Sequence, residues 1–277
     1  MCLLVLAWRA HAHYRLVVAA NRDEFHTRAA APLARWPPPA EILAGRDLRS
    51  QGTWLGIDRA RRFGVVTNYR ELQPPLAAAP SRGDLIPAYL GAREGQSPVS
   101  PAQFLAALEA RASGYSGFNL LLADRDSLWY GSNRTTPFAR SLPPGVYGLA
   151  NESLDTPWPK LERVRAGFQA WLRAGAGAGV AELFTLLADR TTGEDPSLAH
   201  AGPLPREWAR ALSAPFVLHP EYGTRCSTVL LLEGDGRLHL AERRFDPAGQ
   251  LTGETEFRLQ PHEWPRGAAT QRPEPTR

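Results

Sequence analysis

The chain of 277 residues has only two cysteines, Cys2 and Cys226, one methionine and a single lysine, Lys160. Two cysteines cannot supply the disulfide framework of a small secreted domain. The apolar run that opens the chain has no basic residue before it and breaks at Arg9, unlike a secretory signal. No apolar stretch reaches the roughly 18 residues of a membrane span. We therefore expect a cytoplasmic protein in a reducing compartment.

The positive and negative charges of the chain are nearly balanced. Lys and Arg together number 32 and Asp and Glu 28, which gives a net charge of +4. No dense basic run alternates with aromatic residues, so the sequence argues against a nucleic-acid partner. A hydrophobic fraction of 43% with eight tryptophans supplies a sizeable core, which excludes the disordered and fibrous classes.

Two apolar runs open the chain, residues 3–8 and 15–20, with the polar segment RAHAHY between them. This arrangement predicts an antiparallel hairpin. Both runs are nearly continuous in apolar residues, which predicts strands covered on both faces. The Pro/Ala-rich segment 26–47 predicts a loop. A second hairpin is expected from TWLGID and RFGVVTNY.

Helical patterns fill the middle of the chain. Ser100 is a predicted N-cap with Pro101 at the first helical position, and residues 155–175 form a long amphipathic pattern. The other predicted elements are helices at 81–92, where Pro87 delays or kinks the start, and 180–190, strands at 118–124, 127–131 and 145–151, and a hairpin over 227–246 with EGDG as its turn. The segment 190–213 predicts irregular structure.

Strands at both ends and hairpin connections predict an α+β domain of antiparallel sheets with helices packed outside them. We expect residues 1–260 to form a single domain. The Pro/Arg/Thr-rich residues 261–277 predict a flexible C-terminal tail.

The residue with the most distinctive chemistry is Cys2, directly after the initiator methionine. A thiol is a nucleophile only as its thiolate, and a free cysteine has a pKa near about 8.5. Methionine removal, which a small following side chain permits, leaves Cys2 with a free α-amine of pKa about 7.7–8.0. That amine can accept the thiol proton, so one residue is nucleophile and base together. The alternative is a small buried hydrophobe.

The tetrad Asn21-Arg22-Asp23-Glu24 follows the second apolar run, and we expect the strand to end just before it, at Ala20. Beside a terminal cysteine, an aspartate can hold the ammonium and an arginine can stabilise the thiolate. The alternative is a polar turn whose charges are solvated.

Three further residues stand at predicted strand ends: Asn68, Asn151 and Arg225. An amide donor to a developing oxyanion is worth roughly 2.7–4 kcal/mol. Turn formation and helix capping are equally open for the two asparagines, and a surface ion pair for Arg225. His11 and His13 lie in a predicted turn without a third ligand, so we expect no metal site.

Several separate motifs, in order, resemble those of the NRDE family, which includes the eukaryotic transport-and-Golgi-organisation type proteins. They are MCLLVLAW, AANRDEF, GTWLGI, FGVVTNYRE, SRGDL, GLANESLDTPWPKL and YGTRCSTVLLL. The resemblance runs from Met1 to about Phe257. That family in turn resembles the N-terminal-nucleophile cysteine hydrolases of the penicillin V acylase and bile-salt hydrolase group. This likeness implies a four-layer αββα sandwich with antiparallel sheets.

The resemblance also implies roles for individual residues. Cys2 matches the nucleophile, Asp23 the aspartate near its amine, Asn151 the oxyanion asparagine and Arg225 the active-site arginine. Asn68 with Tyr69 matches the Asn/Tyr position of the oxyanion region, and Asn21 and Arg22 join them as binding residues. The acylases carry an arginine where this chain has Ala20, and Arg22, two residues on, is positioned to substitute for it.

Two functions follow from these residues. The first is an amidohydrolase that cleaves a linear, non-peptide C–N bond through Cys2 and requires no cofactor. The second is a non-catalytic carrier of an amphipathic ligand, such as haem, an acyl-CoA or a lipid, on the same fold. No haem-attachment motif is present in the sequence. The oligomeric state is not predicted.

The nucleophile hypothesis requires that Met1 be removed. We expect the purified protein to lack one methionine residue by intact mass spectrometry, because cysteine is small enough for initiator removal. A Cys2→Leu variant, whose larger side chain blocks removal, is the control and should retain Met1. Quantitative retention of Met1 in the natural chain would contradict the hypothesis.

Overall fold

The computed structural model describes residues 2–71, 79–91, 98–175, 179–193 and 205–265. These residues form two antiparallel sheets and five helices, with strands predominating, which confirms the predicted mixture of helices and antiparallel strands. The first sheet contains β1 (Cys2–Trp8), β2 (Tyr14–Phe25), β10 (Gly145–Leu149), β11 (Tyr222–Glu233), β12 (Leu238–Phe245) and β13 (Leu251–Leu259). The second contains β3 (Ala30–Arg35), β4 (Ile42–Asp47), β5 (Leu55–Asp58), β6 (Phe63–Asn68), β7 (Phe118–Ala123), β8 (Leu128–Ser132) and β9 (Ala139–Leu142). The helices are α1 (Leu85–Leu90), α2 (Pro101–Glu109), α3 (Pro159–Ala174), α4 (Val180–Leu187) and α5 (Arg206–Leu212).

The first sheet joins strands from both ends of the chain, in the order β10-β1-β2-β11-β12-β13. β1 and β2 form the predicted hairpin, with Leu4 opposite Ala20. β11 pairs with the other edge of β2, from Tyr222 opposite Phe25 to Leu232 opposite Leu16. β1 and β2 are therefore interior strands of the sheet, which accounts for their nearly continuous apolar sequences.

The second sheet follows the chain, because its order β3-β4-β5-β6-β7-β8-β9 places every strand beside its predecessor. The predicted TWLGID and RFGVVTNY hairpin is β5 and β6, with Gly56 opposite Gly64. β6 and β7 also pair, with Asn68 opposite Phe118, although α1 and α2 lie between them in the sequence. The end of β6 is thus held next to the start of β7.

Successive residues of β1 enter different cores because side chains alternate across a strand. Leu6 shares a cluster with Phe63 and other side chains of the second sheet. Val5 shares another cluster with Phe168 and neighbouring side chains of α3 and α4. A third cluster joins α1 and α2 to the second sheet. One set of β1 side chains therefore shares a core with the second sheet, and the alternate set shares a core with helical side chains.

The helices begin where their sequences provide a start signal. The Ser100 hydroxyl accepts from the backbone N–H of Gln103, whose side chain in turn accepts from the Ser100 N–H, so α2 has a complete capping box. α1 begins at Leu85 with Pro87 in its first turn, as the proline predicted. No helix among the described residues is long and apolar enough to cross a bilayer.

Several elements differ from the sequence-based expectation. The segment 26–47, predicted to be a loop, contains β3 and β4; Pro32 is tolerated because β3 is an edge strand with an irregular register at that point. β9, β13 and α5, the last within 190–213, were not predicted from the pattern. Each is short or lies at a sheet edge, where packing rather than periodicity determines the structure.

The predicted tail, 261–277, lies outside the described residues from 266 onward. Its first five residues are described, and Trp264 is buried beside Arg61. The Arg61 guanidinium donates to the carbonyls of Gln260 and Glu263 at 2.8 and 3.1 Å. Packing therefore extends to residue 265.

The core between the sheets should dominate stability. We expect Leu6→Ala to lower the free energy of unfolding by about 2–5 kcal/mol, because it leaves a cavity where Leu6 is fully buried. Leu251→Ala makes the same chemical change on a side chain that is 51% exposed and should cost less than about 0.5 kcal/mol. Urea denaturation of both variants gives the comparison. Equal losses would contradict the layered core.

Candidate functional site

A polar pocket of about 270 Å³ lies at the N-terminal end of β1, where β2, β6 and the segment after β4 meet. Its described lining combines one thiol, three guanidinium groups and three carboxylates with an indole ring and small polar residues: Cys2, Arg22, Asp23, Glu24, Arg28, Asp47, Ser50, Thr53, Trp54, Val66, Asn68, Ala79, Pro80, Ser81, Arg82, Gly83 and Ser116. The pocket brings together Cys2, Arg22, Asp23 and Asn68 of the predicted site.

Cys2 is half-buried at the first position of β1. Its backbone N–H donates to the side-chain oxygen of Asn151 at 3.1 Å, a contact between residues 149 positions apart. Burial raises the pKa of the Cys2 thiol above its ordinary value; the charge of Asp23 adds to this effect and that of Arg22 opposes it. The nitrogen that becomes an α-amine on methionine removal is therefore held in place by a side chain.

Asn151 is buried, and both halves of its amide are engaged. Its oxygen accepts from Cys2, and its N–H donates to the backbone carbonyl of Asn68 at 2.9 Å. The Asn151 carbonyl accepts from the Arg70 N–H at 2.6 Å. These contacts orient the Cys2 nitrogen and join β6 to the segment after β10, and the role of Asn151 as an oxyanion donor stays a prediction.

The tetrad does not follow a strand, as predicted, but lies inside one. β2 continues through Phe25, and Asn21, Arg22 and Asp23 are all buried. β11 continues to pair with β2 through this region, with Thr224 opposite Asp23. This pairing keeps the backbone extended and carries the polar side chains into the interior. The expected strand end at Ala20 and the solvated-turn alternative are therefore wrong.

Asn21 lies on the helix side of the sheet, and it does not line the pocket. Its amide N–H groups donate to the carbonyls of Leu187 and Pro215 at 2.8 and 2.9 Å, and its oxygen accepts from the Ser227 hydroxyl at 2.6 Å. These bonds join β2 to β11, to the end of α4 and to the segment before β11. Its observed contacts are structural, and its role as a binding residue stays a prediction.

Asp23 is buried between β11 and the pocket. Its carboxylate accepts from the Thr224 hydroxyl and its carbonyl from the Tyr222 hydroxyl, both at 2.7 Å. Burial raises its pKa above the ordinary value for aspartate, while the positive charges of Lys160 and Arg22 oppose the increase. The Asp23 carboxyl is therefore desolvated, and nearby positive charges partly offset the cost of ionising it.

Lys160 is a neighbour of this site that the sequence analysis did not select. The chain's single lysine is fully buried on α3, and its ammonium donates to the Leu212 carbonyl at 2.8 Å. Burial of a lysine is costly unless its charge is compensated. The one feature of the sequence that could have drawn attention to Lys160 is that every other Lys or Arg position is occupied by arginine.

Arg22 lies directly opposite Cys2 on the neighbouring strand. Its guanidinium stacks 4.3 Å from the centre of the Trp54 ring, and its Nη2 lies 3.6 Å from Asp47 and 3.9 Å from Glu24. Both separations exceed hydrogen-bond length. The other terminal nitrogen, Nη1, is buried without a hydrogen-bond partner among the described residues.

Other pocket residues were also missed by the sequence analysis. Arg28 donates to Asp47 at 2.6 Å and to the Ser50 hydroxyl at 3.0 Å, and Arg82 donates to the Gly117 carbonyl at 2.8 Å. Asp47 lies at the end of β4, within the segment predicted to be a loop. Arg82 lies in the quoted motif SRGDL, whereas Arg28 and Asp47 lie in none of the quoted motifs.

Four predicted residues lie outside the pocket lining: Asn21 and Asn151, described above, and Tyr69 and Arg225. The Arg225 guanidinium donates to the carbonyls of Phe25 and His26 at 3.2 and 3.0 Å, so its contacts hold the turn after β2. Tyr69 is half-buried, and its backbone N–H donates to Gly117. Their roles in catalysis and binding stay predictions.

Cys226 is buried, and Cys2 and Cys226 are both free thiols. Each lies opposite Arg22, on either side of it, so their Cα atoms are about 10 Å apart, two strand spacings. A disulfide needs less than about 7 Å. Burial raises the pKa of Cys226 well above its ordinary value, as does the charge of Glu242. Among the described residues, no group of three or more His, Cys, Asp or Glu side chains is arranged to hold a metal ion.

Cys2, Arg22, Asp23 and Asn68 thus meet at one pocket, and Asn151 binds the Cys2 nitrogen. The family model described as Transport and Golgi organisation 2 matches residues 1–247, and the chain belongs to this family. The Bos taurus Transport and Golgi organization protein 2 homolog is 37% identical over 268 residues, which cover 89% of this chain and 94% of the relative. The Homo sapiens homolog is 34% identical over 265 residues with the same coverage, and the Drosophila melanogaster protein is 27% identical over 260 residues, 86% of this chain and 89% of the relative.

The raised pKa of Cys2 predicts its reactivity in the chain that retains Met1. Because the neutral thiol is favoured in the folded state, alkylation by iodoacetamide should be slow at pH 7 and accelerate as the pH rises beyond about 8.5. Cys226 should stay unlabelled while the protein is folded. Mass spectrometry distinguishes the two thiols, and Cys2→Ser is the control. Rapid labelling of Cys2 at pH 6 in this form would contradict the prediction.

Proposed function

We propose that this protein is an N-terminal-nucleophile cysteine amidohydrolase that cleaves a linear, non-peptide C–N bond after loss of Met1. The observation that carries the proposal is the position of Cys2: a half-buried thiol on a polar pocket, with its backbone nitrogen bound by Asn151 and a buried carboxyl, Asp23, beside it. A cysteine placed only for packing would need neither a pocket nor a side chain bound to its nitrogen.

The reaction begins when Met1 removal converts the nitrogen held by Asn151 into an α-amine. The amine takes the thiol proton, and the thiolate attacks the amide carbon to form a C–S bond and a tetrahedral oxyanion. Collapse breaks the C–N bond while the α-ammonium returns the proton to the leaving amine. Water, deprotonated by the same amine, then hydrolyses the thioester and releases the acid.

The charged groups around Cys2 support the two ionic states of this cycle. Asp23 favours the α-ammonium, and Arg22, opposite Cys2, favours the thiolate. Asn68 is exposed on the pocket lining, and we assign its side-chain amide to the oxyanion together with that of Asn151. The Asn151 amide group has two N–H donors, of which one donates to the Asn68 carbonyl, and its oxygen accepts from the Cys2 nitrogen. Asn151 then orients the amine.

The arrangement of the core supports the same class. A cluster between the sheets and further clusters between each sheet and its helices favour an αββα sandwich in which residues 1–260 act as one domain. The two free thiols support the expectation of a reducing, cytoplasmic environment.

A carrier of an amphipathic ligand is the second candidate, and a specific feature favours it. A recess of about 410 Å³ adjoins the Cys2 pocket across Glu24 and Arg28. Phe25 and Leu48 line it and are 48% and 46% exposed. An apolar chain lying on these residues would place a polar head in the Cys2 pocket, whether or not catalysis follows.

Replacement of the nucleophile tests the hydrolase. On a panel of linear acyl amides, Cys2→Ala should lower kcat/KM by roughly three orders of magnitude or more, since no other group forms the acyl intermediate. Cys226→Ala, which removes the other thiol, should retain activity. Circular dichroism checks that both variants fold.

Three results would argue against the hydrolase. They are turnover that persists in Cys2→Ala, failure of the natural chain to cleave any amide after verified Met1 removal, and saturable binding of an acyl ligand without turnover. The last result would favour the carrier.

A further inference from the structure

Arg22 lines the Cys2 pocket, and one of its strong donors is buried and unused. The residue is 5% exposed, and its Nη1 has no hydrogen-bond partner among the described residues. An unsatisfied buried donor lowers the stability of a protein, and more so when it is charged. Such a group in a pocket points to an acceptor supplied from outside the chain.

The neighbouring carboxylates do not fill this need. Asp47 is already bound by Arg28 and by the backbone N–H groups of Arg49 and Ser50, and it lies 3.6 Å from Arg22. Glu24 is at 3.9 Å. Both are too far from Arg22 to form hydrogen bonds, so they balance its charge without occupying its donors.

Two features keep the guanidinium in place for a ligand. Trp54 stacks on the guanidinium at 4.3 Å, and the extended backbone of β2 fixes the Cα position of Arg22. Arg28 and Arg82 line the same pocket, which gives three guanidinium groups around one recess. A fixed guanidinium fork matches the geometry of carboxylate and phosphate oxygens.

The distance to the nucleophile is set by the sheet. Arg22 and Cys2 are directly opposite each other, so their Cβ atoms are about 4.5–5.5 Å apart. An oxyanion bound at Nη1 therefore lies within a few bonds of a carbonyl carbon attacked by the thiol. The volume of about 270 Å³ suits a small polar group rather than a long chain.

We propose that Arg22, assisted by Arg82, is a binding site for an anionic group, carboxylate or phosphate, carried by the ligand a few bonds from the amide. As a statement about the substrate, this rests on the hydrolase proposed above, and it narrows that substrate to acidic amides. As a statement about binding, it holds for a carrier as well.

Binding to full-length Cys2→Ala separates this site from catalysis. The probes are N-acetylglycine, its neutral analogue N-acetylglycinamide, and inorganic phosphate, titrated by calorimetry at constant ionic strength. We expect the acid to bind roughly 10- to 100-fold more tightly than the neutral amide, the range of a charge-assisted hydrogen bond. Tighter binding of phosphate than of the acid would assign the same site to a phosphorylated ligand.

A matched arginine provides the control. In the Cys2→Ala background, Arg22→Leu should reduce the affinity for the acid to that for the neutral amide, and Arg22→Lys should recover part of it. Arg46→Leu removes a guanidinium that stacks on Trp36 at 4.7 Å, outside the pocket lining, and should leave binding unchanged. If Arg22→Leu does not fold, Arg82→Leu provides the test, because Arg82 is only half-buried. We expect this variant to lose affinity for the acid severalfold.

Equal affinity for acid and neutral amide would overturn the proposal, as would equal losses in Arg22→Leu and Arg46→Leu. The two proposals fail differently. Anion binding that depends on Arg22, in a chain that cleaves no amide, leaves the site standing and removes the hydrolase. If the chain cleaves neutral amides as fast as acidic ones and binds no anion, the hydrolase stands and the anion site is removed.

Discussion

The pairing of β2 with β11 is the constraint on which the site depends. β2 is long enough to carry its apolar half through the core and its polar half to the pocket without leaving the sheet. The extended backbone fixes the alternation, so Asn21 faces the helices and Arg22 faces Cys2. If the strand ended at Ala20, these side chains would be in solvent, where neither a desolvated carboxyl nor a fixed guanidinium could be maintained.

Burial of this polar segment is stabilised from several directions. Asn21 is satisfied by carbonyls of the helical layer, Asp23 by hydroxyls of β11, and Asn151 by the Cys2 nitrogen. Such networks are stable only when nearly every member is paired, which makes the exception at Arg22 informative. The unused donor of Arg22 is the basis for the anion site proposed above.

The arrangement separates two tasks that are adjacent in sequence. Asn21, on the helix side of the first sheet, bonds to the framework, and Arg22, on the side that faces the other sheet, lines the pocket with Cys2. A one-residue change of register would exchange these tasks, because the period of a strand is two. The bulge at Arg225, where the register of β11 against β2 shifts, lies inside this region, between the partners of Arg22 and Asp23. The Arg225 guanidinium donates to the turn after β2.

Local patterns in the sequence were enough to predict the hairpins at 2–25 and 55–68 and the capped helix at Ser100, because apolar periodicity and cap residues are local signals. The unusual chemistry of Cys2 was likewise visible in the sequence. Long-range packing was needed to show that the tetrad lies inside a strand, that Asn151 binds the Cys2 nitrogen, and that Arg28, Asp47 and Arg82 share the pocket. These contacts join residues far apart in the chain. Their geometry depends on how two sheets and their connecting segments meet, which no local pattern of residues specifies.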